Sequence, residues 1–123
     1  MSTLQKNCHS ILVVEDDEDI RTTLVELLES EGYKTHAAEN GKIALEKLQE
    51  IPKPCLVLLD MMMPIMDGRE FLNQIMKDSL LAPIPILVVS AVADVSNTKG
   101  AVGFIKKPID IDVILRLVAQ YCH

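Results

Sequence analysis

Asp60 ends an uninterrupted apolar run, Cys55-Leu56-Val57-Leu58-Leu59. A carboxylate delivered in this way can act as a nucleophile toward phosphorus and form an aspartyl phosphate. Three other apolar runs end in groups suited to the same chemistry. Ile11–Val14 leads into Glu15-Asp16-Asp17, Ile86–Val89 into Ser90, and Gly103–Ile105 into Lys106-Lys107-Pro108. Carboxylates gathered from separate segments repel one another unless a cation lies between them. Hard oxygen ligands of this kind select Mg²⁺ or Mn²⁺, with waters completing an octahedron. A cation and an amine together neutralise an incoming phosphoryl group, and a hydroxyl can donate to one of its oxygens. Positioning and charge stabilisation are most of what phosphoryl transfer requires.

Taken singly, each residue has a plainer explanation. Acidic residues between a strand and a helix are often caps; that reading is preferred for Asp17 and Asp19, while cap and ligand stand level for Asp16. A lysine before proline is usually surface, and a serine at a strand end usually has no special role. Asp67 reads as a helix cap. Met61, Met62, Met63 and Met66 read as packing and loop residues, and only the backbone carbonyl of Met62 would interest a cation. The joint occurrence decides, because independent caps would not place a lysine and a serine on the edge that carries the acids.

That edge depends on the elements behind it. The runs Ile11–Val14, Cys55–Leu59 and Ile86–Val89 are short and continuous, as in strands covered on both faces; Tyr33–Ala38 and Gly103–Ile105 are weaker strands. Between them lie helical patterns. Ile20, Leu24, Leu27 and Leu28 form one stripe that stops near Gly32. Asn40 caps a helix carrying Ala44, Leu45 and Leu48, and Asp67 one carrying Phe71, Leu72, Ile75 and Met76. Asp110 caps the last, with Ile111, Ile114, Leu115, Val118 and Tyr121 on one face. Strands alternating with helices predict an open parallel α/β sheet with helices on both faces. In such a sheet, ligands sit outside the carboxyl ends of the strands.

The bulk composition agrees. The chain has 123 residues, enough for one domain with a two-sided core. Its net charge of −6 and its lack of Trp argue against direct nucleic-acid binding. No stretch approaches a membrane span, and Met1–Ser10 lacks the apolar core of a signal peptide. Cys8, Cys55 and Cys122 form no paired motif. Cys55 is expected to be a buried free thiol, with no disulfide framework, and the chain to be cytoplasmic. Residues 1–9 read as a flexible tail and 10–123 as a single domain with no output domain.

The segments Ile11-Leu12-Val13-Val14-Glu15-Asp16-Asp17, Leu58-Leu59-Asp60-Met61-Met62-Met63-Pro64-Ile65-Met66-Asp67-Gly68, Val89-Ser90-Ala91 and Phe104-Ile105-Lys106-Lys107-Pro108 resemble the receiver domains of two-component response regulators. The resemblance runs from about Ile11 to Tyr121. It implies a flavodoxin-like, doubly wound fold with five parallel strands in the order 2-1-3-4-5. It implies Asp60 as phosphoacceptor, Asp16 as a direct Mg²⁺ ligand, Glu15 as a ligand directly or through water, and Met62 as a backbone-carbonyl ligand. Ser90 matches the switch hydroxyl, Lys107 the amine before proline, and Phe104 the aromatic position whose rotamer reports activation. The implied partners are a histidine kinase or histidine phosphotransfer domain and an unidentified downstream protein.

One segment departs from that family. Where a full amphipathic helix is usual, Val92–Lys99 supplies eight residues, too few for a loop and about three helical turns. The fourth helix is therefore expected to be absent or reduced to one turn. Two rival functions remain. A non-phosphorylated interaction module would keep the fold and bind its partner normally after Asp60→Asn. An aspartyl phosphatase would share the chemistry, but such enzymes commonly carry a second Asp two residues after the nucleophile, where this chain has Met62. A Rossmann nucleotide site is disfavoured, since no glycine-rich turn follows the first strand.

Overall fold

The computed structural model describes residues 10–91 and 100–122. In chain order these form β1 (Ser10–Val14), α1 (Glu18–Ser30), β2 (Lys34–Ala38), α2 (Gly41–Glu50), β3 (Leu56–Leu59), α3 (Gly68–Lys77), β4 (Ile86–Ser90), β5 (Gly103–Lys106) and α4 (Ile111–Tyr121). The expected tail at 1–9 and the expected loss of a helix over Val92–Lys99 lie outside the described residues.

All paired strands are parallel and lie in the order β2-β1-β3-β4-β5. Period-two alternation splits their side chains between two cores. Leu12, Val14, Val57, Leu59 and Val88 pack with α2 and α3 through Ala44, Leu48, Phe71, Leu72 and Ile75. Ile11, Val13, Leu56, Leu58, Leu87 and Val89 pack with α1 and α4 through Leu24, Leu28, Ile114 and Val118. Burial on both faces explains why these strands are apolar throughout.

The helices begin where the sequence places them. Asp17, Asn40, Asp67 and Asp110 are the N-caps, each side chain accepting a backbone N–H from the first turn. The first helix ends as expected, with Gly32 at φ +94° just after the Glu31 cap. Two expectations need correction. Ile111 is 50% exposed although the helical period puts it on the apolar face of α4, because it occupies the first turn and lines an open cleft beside α1. Cys55 is only half-buried and is not a free thiol: it is disulfide-bonded to Cys122, with the two Cα atoms 5.5 Å apart. A separation of 67 residues hid that pairing, which only the packing of α4 across β3 creates.

Candidate phosphoryl-transfer site

Glu15 follows β1 directly, Asp60 follows β3, Ser90 ends β4 and Lys107 follows β5. Parallel pairing puts all four strand ends on one edge. Register brings the first two together: Val14 lies opposite Leu59, and the Asp60 N–H donates to the Val14 carbonyl at 3.0 Å. Backbone pairing continues on the other side, where the Lys107 N–H donates to the Ser90 carbonyl at 2.9 Å. The Lys107–Pro108 peptide is cis.

The side chains converge accordingly. Lys107 Nζ donates to Glu15 Oε1 at 2.9 Å and lies 3.6 Å from Asp60 Oδ2. The other oxygen of each acid is held by backbone: Asp17 N–H donates to Glu15 Oε2 at 3.1 Å, and Met62 N–H to Asp60 Oδ1 at 3.2 Å. Glu15, Asp60 and Ser90 are buried, whereas Asp16 is exposed. Glu15, Asp16 and Asp60 each offer a carboxylate oxygen within 4.8 Å of the others. Three hard oxygen donors at that spacing suit a small divalent cation. Asp16, Met62 and Asp67 also line an open cavity of about 300 Å³ beside them.

Electrostatics shows what this crowding does. Burial raises the Glu15 carboxyl from the ordinary 4.5 to about 7, opposed by the Lys107 and Asp17 hydrogen bonds and reinforced by the nearby charge of Asp60. At Lys107, burial works against the ammonium, but the bond to Glu15 and the field of Asp60 more than offset it and raise its pKa. An isolated Lys–Glu pair would lower the glutamate. Here one ammonium serves two buried carboxylates, so desolvation wins at Glu15.

Every strand-end residue expected from the sequence lies at this edge. Phe104 lies on β5 opposite Val88, half-buried against the α2–α3 side of the sheet. Met62 contributes a backbone N–H to Asp60, and its side chain is exposed. Two features were missed. Arg21 Nη1 donates to the Glu15 carbonyl at 2.8 Å and reaches the Asp16 carbonyl at 3.4 Å, tying α1 to the acidic turn without occupying a carboxylate. Its position one helical turn past the Asp17 cap was the available signal. Gly68 sits against the loop after β3, where a Cβ would fall 2.7 Å from Met61 Cα and 2.8 Å from the Asp60 carbonyl oxygen. Only glycine permits that approach.

A family model described as the response regulator receiver domain matches residues 11–119. The chain belongs to this family. As a receiver domain it is a signalling domain of two-component systems. Sporulation initiation phosphotransferase F of Bacillus subtilis (strain 168) is 37% identical over 116 residues, which cover 90% of this chain and 91% of that protein. Regulatory protein AtoC of Escherichia coli (strain K12) is 33% identical over 115 residues, and the match spans 24% of its length. The response regulator TrrA from Thermotoga maritima, solved in complex with Mg(2+)-BeF, is 32% identical, with a TM-score of 0.81 over 92% of this chain and 98% of that one. Among the described residues no helix is long and apolar enough to cross a membrane.

Proposed function

We propose that Asp60 accepts a phosphoryl group from a phosphohistidine on a histidine kinase or phosphotransfer domain. The observation that carries this reading is the Lys107 ammonium standing between two buried carboxylates at a shared strand edge. Asp60 Oδ1 is engaged by Met62 N–H, which leaves Oδ2 as the attacking atom. Oδ2 bonds to phosphorus as the phosphorus–nitrogen bond breaks, and the histidine leaves with that electron pair. Lys107 neutralises charge on the transferred oxygens, and the buried Ser90 hydroxyl at the end of β4 donates to one of them. Glu15, Asp16 and Asp60, with the Met62 carbonyl, would hold Mg²⁺ or Mn²⁺. When bound, the cation supplies charge neutralisation at the phosphoryl group. Ser90 and Phe104 then shift and bias a two-state surface that a downstream protein reads. The compartment is the cytoplasm, and turnover beyond slow self-dephosphorylation is not part of this function.

The donor domain docks beside α1. There α1 and the segment leading into α4 enclose an apolar cleft of about 400 Å³, lined by Ile20, Leu24, Leu27, Pro108, Ile109 and Ile111 and adjoining Lys107.

The test is intact-mass spectrometry after incubation with Mg²⁺ and acetyl phosphate. One phosphoryl group should appear on the wild type, be released by hydroxylamine as an acyl phosphate is, and be absent from Asp60→Asn. An unmodified wild type, or label retained in Asp60→Asn, overturns the proposal. Ile20→Glu should keep labelling by acetyl phosphate and lose transfer from a phosphorylated kinase at least tenfold; equal losses with both donors would remove the cleft from docking.

A further inference from the structure

The Cys55–Cys122 pair lies at the opposite edge of the sheet from Asp60, and nothing in phosphoryl transfer uses it. Cys55 immediately precedes β3, and Cys122 caps the C-terminus of α4. The two sulfurs are unlike. Cys55 is half-buried and the more open of the two residues, whereas Cys122 is 3% exposed, beneath α4 in the core shared with α1. Cys55 Sγ also lies 3.2 Å from the Ser10 carbonyl oxygen. A disulfide sulfur has no hydrogen to give, but a thiol at that position donates to this carbonyl. The reduced side chain therefore has a partner where it already stands. Cys122 likewise keeps its place without the bond, through its N–H to the Val118 carbonyl at 2.8 Å. The local fold accommodates either state.

We propose that Cys55 and Cys122 form a reversible dithiol–disulfide couple, in which Cys55 exchanges with small disulfides of the glutathione class and Cys122 is the resolving thiol. In the first step the Cys55 thiolate attacks one sulfur of oxidised glutathione. A Cys55–glutathione bond forms, the glutathione disulfide breaks, and one glutathione thiolate leaves. In the second, the Cys122 thiolate attacks the Cys55 sulfur and releases the second glutathione. Two protein thiols are oxidised, one glutathione disulfide is reduced, and the two protons of the protein thiols end on the two released glutathione thiols. Reduction retraces the path, with the incoming thiolate attacking the Cys55 sulfur. The bond closes a 67-residue separation and ties α4 to the foot of the central strand. It restricts the unfolded chain strongly. This inference does not rest on the proposed phosphoacceptor role.

The test uses the full chain with Cys8→Ser, which removes the third cysteine. After reduction, incubation with oxidised glutathione should give the internal disulfide with no lasting adduct, and a melting temperature about 10 °C or more above the reduced form. Cys122→Ser should trap one glutathione on Cys55. Cys55→Ser should leave Cys122 unmodified in the folded chain and modified in guanidinium. Circular dichroism shows whether each variant folds. Peptide mapping of briefly exposed wild type reports the same asymmetry without a variant, the transient adduct residing on the Cys55 peptide. Adducts forming equally fast on both cysteines, or persisting with no internal bond, overturn the proposal.

Discussion

At the residue scale, the pocket turns on Glu15. Its folded pKa of about 7 exceeds the ordinary 4.5, so the folded chain binds this proton more tightly than the unfolded chain does. The stabilisation is complete below about 4.5 and is lost as pH rises to about 7. The metal-free wild type should therefore lose stability between these limits through Glu15. His36 works the other way: burial first, then Lys34 and Lys47, lowers its pKa, so its contribution is lost as pH falls below its ordinary range. Denaturant midpoints in chelator, compared with Glu15→Gln, isolate the carboxyl. The variant should lack the decline, and parallel profiles would rule Glu15 out as its source. Arg21 acts more indirectly, by holding the carbonyls of Glu15 and Asp16. Arg21→Ala should weaken Mg²⁺ binding about three- to tenfold by calorimetry, less than the roughly 1.5–3 kcal/mol of a charge-assisted hydrogen bond, because Arg21 holds the backbone of the acidic turn and not a carboxylate. The phosphorylation rate at saturating Mg²⁺ should change far less. A lowered melting temperature with unaltered Mg²⁺ affinity would make Arg21 structural only.

At the element scale, the loop from Asp60 to α3 carries its own strain. Ile65 has φ +68° and is 76% exposed. A β-branched residue in the left-handed region is disfavoured by roughly 1–2 kcal/mol, while glycine adopts it readily. Ile65→Gly should stabilise the chain by up to about 1 kcal/mol after the entropy cost of glycine, read as a higher denaturant midpoint. A loss of stability would show that exposed Ile65 makes a contact worth more than its strain. Much at this scale was legible in the sequence. Continuous apolar runs announced strands buried on both faces, and the four helix N-caps were readable because Asp17, Asn40, Asp67 and Asp110 precede apolar stripes at helical spacing. Asp60 and Lys107 were readable because strand ends in a parallel sheet share an edge. What stayed hidden depends on contacts between distant segments. The closeness of Gly68 to Met61 and the pairing of Cys55 with Cys122 leave no periodic mark, and Ile111 follows the helical period yet faces an open cleft.

At the scale of the whole molecule, a cation that binds only the folded chain should stabilise all of it. Saturation at about 100 times the dissociation constant contributes about 2.7 kcal/mol. Added Mg²⁺ at that level should thus raise the melting temperature of the wild type by roughly 8–16 °C, at on the order of 3–6 °C per kcal/mol for a chain of this size, and raise that of Asp16→Asn much less. Equal shifts would place the cation elsewhere. The strand order has a further consequence. Among the described residues it leaves β2 and β5 outermost, and each carries an exposed lysine, Lys34 and Lys106. A second copy laid alongside either rim would bring its backbone against an ammonium group that water holds strongly, so growth of the sheet from molecule to molecule is resisted at both ends.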